Sequence, residues 1–234
     1  MDTSIAVADG TIRGYISVPQ EEISGKPPWP GVVVVHDALG LTRDTRRITA
    51  RFATAGFVAL APDLYSRGGL PRCVRSVFRQ LTAGEGRAFD DLDATRRMLA
   101  DRAYCSGKVG VVGFCLGGGF ALLAAAKGFQ ASAPYYGGMS RDVSFLDDAC
   151  PIVASYGRRD PSLKGEAARL EAELSRRGVP HDVKEYPDAG HSFANELPFG
   201  PLNVLARISG FGYHHESSED AWRRVLAFFT EHPH

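Results

Sequence analysis

Val32-Val33-Val34-Val35 is an uninterrupted β-branched run introduced by Pro30-Gly31. A strand with one wet face alternates apolar and polar side chains. A run that is apolar at every position instead predicts a strand covered on both faces, as in a parallel sheet flanked by helices. The rest of the chain fits that frame. Ser4 to Ala8 and Ile12 to Val18 alternate around Asp9-Gly10 and predict an antiparallel hairpin. Helical spacing from Asp44 to Ala55 ends at Gly56, and Val58 to Ala61 reads as the next strand. Then follow a helix from about Glu85 to Arg102, strand Val109 to Val112, helix Leu116 to Lys127 and strands Ala131 to Tyr135 and Ile152 to Gly157. Helix Gly165 to Arg177, strand His181 to Tyr186 and helix Ser218 to Glu231 complete the order. The expected class is α/β: a mostly parallel eight-stranded sheet with an antiparallel start and helices on both faces. Tyr65 to Gly84 and Ala194 to Ser217 lack a clear period and are read as long irregular loops, candidates for lids.

The 234 residues fit a single domain spanning 1–234, with no repeat and no linker. Lys plus Arg (27) equal Asp plus Glu (27), and the arginines are scattered in pairs, which argues against nucleic acid and anionic membrane as partners. The longest apolar runs fall far short of the roughly 18 residues of a membrane span. Met1-Asp2-Thr3-Ser4 opens without a basic stretch, so no secretory signal is legible and a cytoplasmic location is expected. Cys73, Cys105, Cys115 and Cys150 contain no C-x-x-C pair and read as free thiols.

The sharpest local signal is Gly113-Phe114-Cys115-Leu116-Gly117-Gly118, between an apolar strand and an alanine-rich helix. A nucleophile at the tip of a sharp strand-to-helix turn needs small residues two before and two after it, and glycine fills both places. The turn would lift the Cys115 sulfur above the sheet at a helix N-terminus, where backbone N–H groups and the helix dipole favour a thiolate and a developing oxyanion. The competing reading is a buried structural cysteine, or a turn that cradles phosphate. Against phosphate, G-x-G-x-x-G is absent and no Lys-Ser/Thr pair follows. Asp160, after strand 152–157, and His191, after strand 181–186, supply an acid and a base in the chain order such turns use. Taken singly, Asp160 could be a helix N-cap beside Pro161 and His191 a solvated loop residue. Together, each following a predicted strand, they make Cys115-His191-Asp160 the expected triad. Backbone N–H groups of Leu116 and Ala38 are the expected oxyanion donors. His36 and Asp37, at the end of the Val32–Val35 strand, are candidates for substrate binding or activation. His214 and His215 lack a third ligand at a metal spacing, so no metal is expected.

With those residues in place, the chain resembles the dienelactone hydrolase family of α/β hydrolases from Pro30 to Phe229. The carrying segments are Val35-His36-Asp37-Ala38-Leu39-Gly40-Leu41, Ala61-Pro62-Asp63-Leu64-Tyr65, Gly107 to Gly118 and Ala189-Gly190-His191-Ser192-Phe193. The resemblance implies an α/β-hydrolase fold and cofactor-free hydrolysis of a small-molecule ester or lactone through an acyl-cysteine, by a monomeric enzyme. By position it makes Cys115 the nucleophile, His191 the base and Asp160 the acid that orients it. Two departures stand out. The family commonly has glutamate where this chain has Asp37, and the member acting on dienelactone has an arginine shortly after the histidine motif, where Phe193-Ala194 here leads to Asn195. Phe193 and Asn195 are thus expected near the substrate, with Arg67 or Arg72 as the substitute cation for a substrate carboxylate. Alternatives are a general carboxylesterase or thioesterase with the same triad, and a non-catalytic binding module in which Cys115 is a redox-sensitive thiol.

Overall fold

A computed structural model describes residues 1–196 and 211–232. It contains β1 Asp2–Val7, β2 Gly10–Ser17, α1 Glu21–Ser24, β3 Trp29–Val35, α2 Arg43–Thr54, β4 Val58–Pro62, α3 Leu70–Ala83 and α4 Arg87–Ala100. After these come β5 Cys105–Phe114, α5 Leu116–Ala124, β6 Ser132–Tyr135, a 3-10 turn at Ser144–Asp148, β7 Ile152–Gly157, α6 Glu166–Arg177, β8 His181–Tyr186 and α7 His215–Glu231. The eight strands form one sheet in the order β1-β2-β4-β3-β5-β6-β7-β8. The β1–β2 and β2–β4 pairs are antiparallel and the others parallel. The α/β class and the antiparallel start therefore stand as expected.

Val32 to Val35 are all fully buried, and successive residues face opposite sides of the sheet. Val33 and Val35 join a core with Leu92, Leu99 and Phe120, whereas Val32 and Val34 join Phe52, Val225 and Phe229. Helices α4 and α5 cover one face, α2 and α7 the other, which is why no position in the run tolerates a polar side chain.

One expectation fails. The stretch Tyr65 to Gly84, read as an irregular loop, carries helix α3. Pro71 occupies its first turn, where the missing N–H costs nothing, and Gly84 closes it in the left-handed conformation. Cys73, Val74, Val77 and Leu81 do have helical spacing and pack on the core, but Val77 alone is fully buried and Arg72, Arg75 and Arg79 interrupt the apolar stripe. The second irregular stretch, Ala194 to Ser217, lies mostly outside the described residues. Its end is part of α7, which begins at His215, three residues before the predicted start. No helix among the described residues is long and apolar enough to cross a membrane.

Candidate active site

The C-terminal ends of β3, β5, β6 and β7 and the turn after β8 converge on one region, where loops of open parallel sheets carry their working groups. At the end of β5 the chain reverses sharply into α5 through Cys115, whose backbone stands at φ 55°, ψ −113°. That conformation costs a non-glycine residue on the order of 1–3 kcal/mol and persists only where its surroundings enforce it. The enforcing contact is backbone against backbone. A Cβ on Gly113 would lie 1.9 Å from the Gly117 carbonyl oxygen, and one on Gly117 would lie 2.3 Å from that of Val35. Glycine at both positions is thus a steric requirement of the turn. Cys115 is partly exposed, and Leu116 follows it in the first turn of α5, where N–H groups have no acceptor within the helix.

Asp160 and His191 meet as the chain order predicts. Nδ1 of His191 and Oδ2 of Asp160 are 2.5 Å apart. The other carboxylate oxygen of Asp160 accepts the Ser162 N–H at 2.9 Å and the Ser162 hydroxyl at 2.5 Å. Burial alone would raise the Asp160 pKa, but the hydrogen bonds from His191 and Ser162 hold it below the ordinary carboxylate value. Burial likewise works against a charged imidazole. The hydrogen bonds of His191 to Asp160 and Cys115, with their charges, outweigh it and lift the His191 pKa to about 9. The His191 ring also packs on Tyr136, centroids 5.1 Å apart, and on Phe211 at 5.4 Å.

Asp37 is 6% exposed, and its Oδ1 accepts the Leu39 N–H at 2.8 Å. Burial raises its pKa, and the charge of nearby Asp44 adds to the rise, while His191 opposes it. Phe193 is fully buried and packs on Tyr135, Tyr136 and Tyr186. It is a wedge beneath the histidine turn and does not line a substrate space, contrary to the sequence expectation. Among the described residues no group of three His, Cys, Asp or Glu side chains converges in a way that could hold a metal.

The sequence reading missed Tyr136, which follows β6 directly and sits at φ 39° with its ring buried. Its hydroxyl donates to Oδ1 of Asn195 at 2.5 Å, and Nδ2 of Asn195 donates to Oδ2 of Asp44 at 2.8 Å. Asp44 in turn accepts two hydrogen bonds from Arg47. The tyrosine pair followed by Gly137-Gly138 at a strand end was the available signal. Positive φ at a tyrosine was not legible.

The model of the dienelactone hydrolase family matches residues 12–233. The chain belongs to the dienelactone hydrolase family. It is accordingly a hydrolase of ester or lactone bonds. A carboxymethylenebutenolidase of Pseudomonas putida is 31% identical over 198 residues, covering 79% of this chain and 83% of that protein. A dienelactone hydrolase-like promiscuous phosphotriesterase from metagenomic libraries superposes with TM-score 0.82 at 23% identity, covering 99% and 98% of the two chains. A dienelactone hydrolase of Anabaena variabilis gives 0.68 at 19% identity, covering 100% and 98%.

Against this family background, the residues read as substrate contacts are differently employed. Arg67 pairs with both oxygens of Asp91 (2.6 and 2.9 Å) and with Asp9 (2.6 Å), pinning the β1–β2 turn to α4. A guanidinium with two carboxylate partners is no substitute for a carboxylate-binding arginine. Asn195 has its amide engaged at both ends, by Tyr136 and by Asp44. The activating role expected of Asp37 from the sequence has a direct test. Asp37→Ala is expected to leave Cys115 at least as reactive toward iodoacetamide at pH 7, while slowing acylation by a lactone. Stopped-flow measurement of both rates checks this, and a parallel fall would mean that Asp37 merely supports the loop.

Proposed function

We propose that this hydrolase cleaves its ester or lactone through an acyl-cysteine, with Cys115 as nucleophile, His191 as base and Asp160 as orienting acid in one domain. The observation that carries the reading is the strained Cys115 turn facing an imidazole whose Nδ1 is 2.5 Å from a buried carboxylate.

In the first half-reaction, the Cys115 Sγ proton passes to Nε2 of His191 as sulfur attacks the acyl carbon. The carbonyl π pair moves onto oxygen, where the N–H groups of Leu116 and Ala38 receive it. Collapse breaks the acyl C–O bond, and the imidazolium gives its proton to the departing alkoxide. Water then attacks the thioester while His191 takes one of its protons, and the expelled sulfur recovers that proton. Asp160 keeps Nδ1–H directed away from sulfur throughout and stabilises the positive ring.

A general carboxylesterase or thioesterase would use the same steps with a different pocket. Intact-protein mass spectrometry after brief exposure to p-nitrophenyl acetate tests the chemistry. One acetyl adduct that maps to Cys115 and decays is expected. Turnover without an adduct, in a Cys115→Ala protein as well as the parent, would remove the cysteine from the mechanism. Lactone and linear-ester panels then separate the two substrate readings.

A further inference from the structure

His36 is a buried polar side chain that the mechanism leaves unused. It is 1% exposed at the end of β3, and both ring nitrogens are occupied by main-chain groups. Nε2 accepts the Leu64 N–H at 3.1 Å, which fixes Nδ1 as the protonated nitrogen, and Nδ1–H donates to the Asp37 carbonyl at 2.7 Å. Burial lowers the pKa of this ring, so it stays neutral and keeps that tautomer.

The neighbouring groups of the loop are tied as firmly. The Tyr65 hydroxyl donates to the Ala38 carbonyl at 3.2 Å, and its ring lies 4.9 Å from that of His36. The Leu39 N–H goes to Oδ1 of Asp37, and the Gly40 N–H to the Asp37 carbonyl at 3.2 Å. The Asp37 carbonyl and the Ala38 N–H belong to one planar trans peptide, so they point in opposite directions. Holding the oxygen against the buried imidazole therefore turns the Ala38 N–H to the other side, where it finds no backbone acceptor among the described residues. The first turn of α5 is packed against this strand end, since a Cβ on Gly117 would meet the His36 carbonyl at 2.5 Å.

We infer that His36, braced by Tyr65, is a positioning residue that aims the Ala38 N–H at the developing oxyanion. The inference rests on the proposed reading in which Ala38 supplies an oxyanion donor, and it assigns His36 a role other than substrate contact. Its value to the enzyme is preorganisation: a donor held in place before reaction costs nothing to orient during it. Deleting an oxyanion donor costs on the order of 10²–10³ in rate, and a donor left free to swing should lose part of that.

Three variants test it: His36→Leu, which removes both hydrogen bonds; His36→Gln, whose amide offers one donor and one acceptor about as far apart as the ring nitrogens; and Tyr65→Phe, which removes one oxygen. Each is measured for p-nitrophenyl acetate turnover and for alkylation by iodoacetamide, a displacement at saturated carbon that develops no oxyanion. For His36→Leu we expect kcat to fall on the order of 10- to 100-fold, with KM within about twofold and alkylation unchanged. His36→Gln should recover most of the loss, and Tyr65→Phe should lose severalfold. Wild-type kcat in His36→Leu overturns the inference, as does a parallel fall of turnover and alkylation. Should His36→Leu not fold, Tyr65→Phe and His36→Gln decide, and wild-type kcat in Tyr65→Phe counts against the brace. Failure of the underlying reading shows separately, as ester turnover that survives Cys115→Ala.

Discussion

Replacing His191 with Ala lowers ester turnover by a factor on the order of 10² to 10⁴, because no other base faces Cys115 in the proposed reaction. The fold should survive, since the residue sits in a turn whose packing is carried by Phe193 beneath it. Circular dichroism and steady-state kinetics on the same preparation check both halves. A folded variant with undiminished turnover would take His191 out of the mechanism. The pH profile adds a sign. As the base, His191 takes the Cys115 proton only while its own ring is neutral, and the ring holds a proton up to about pH 9, so kcat/KM should rise with pH toward about pH 9. The Asp160 carboxylate is one cause of the raised value. In Asp160→Asn the rising limb should therefore move to lower pH as overall activity drops. An unmoved limb would mean that another group sets it.

Among the glycines whose Cβ space is described, Gly113→Ala should be the most damaging substitution. Its Cβ would fall 1.9 Å from the Gly117 carbonyl oxygen, and neither partner can yield without opening the turn that holds Cys115. We expect a loss of about 3 kcal/mol or more, which in a chain of this size lowers Tm by roughly 10 °C, together with collapse of activity. Gly138→Ala is the matched control, because its Cβ would meet only Leu163 Cδ2 at an ordinary 3.6 Å. Equal melting temperatures for the two variants would show that the close approach is not enforced as described.

Some of this was legible in the sequence for definite reasons. The run Val32 to Val35 and the strand and helix periods report burial, and burial follows largely from side-chain type, so the strands could be read in chain order, though not their order in the sheet. The Gly113-x-Cys115-x-Gly117 turn was legible because its constraint is steric and acts within five residues. Helix α3 was not, because its buried stripe is narrow and its arginines blur the period. The partners of Asn195, Arg67 and His36 were invisible for another reason. Each is held by residues distant in sequence or by main-chain groups, and a polar side chain in a one-dimensional reading carries no mark of whether its hydrogen bonds are already spent. All three looked available for substrate, and each has its polar groups already engaged within the protein.

The engagement of Asn195 bears on how easily this enzyme could change its substrate. An arginine introduced there would enter a closely packed position that is 2% exposed and would meet the Asp44 carboxylate that now accepts from the amide. The new cation would be neutralised internally before any ligand arrived. Recognition of anionic substrates by this route thus needs Asp44 and Arg47 to change as well, and Asp44→Asn alone would unsettle the present arrangement without reward. Neither step is favourable singly. An anion-binding version of such a site at position 195 is separated from the present arrangement by a valley that drift or simultaneous substitution must cross, and a one-residue library at position 195 should return no variant that binds a substrate carboxylate there.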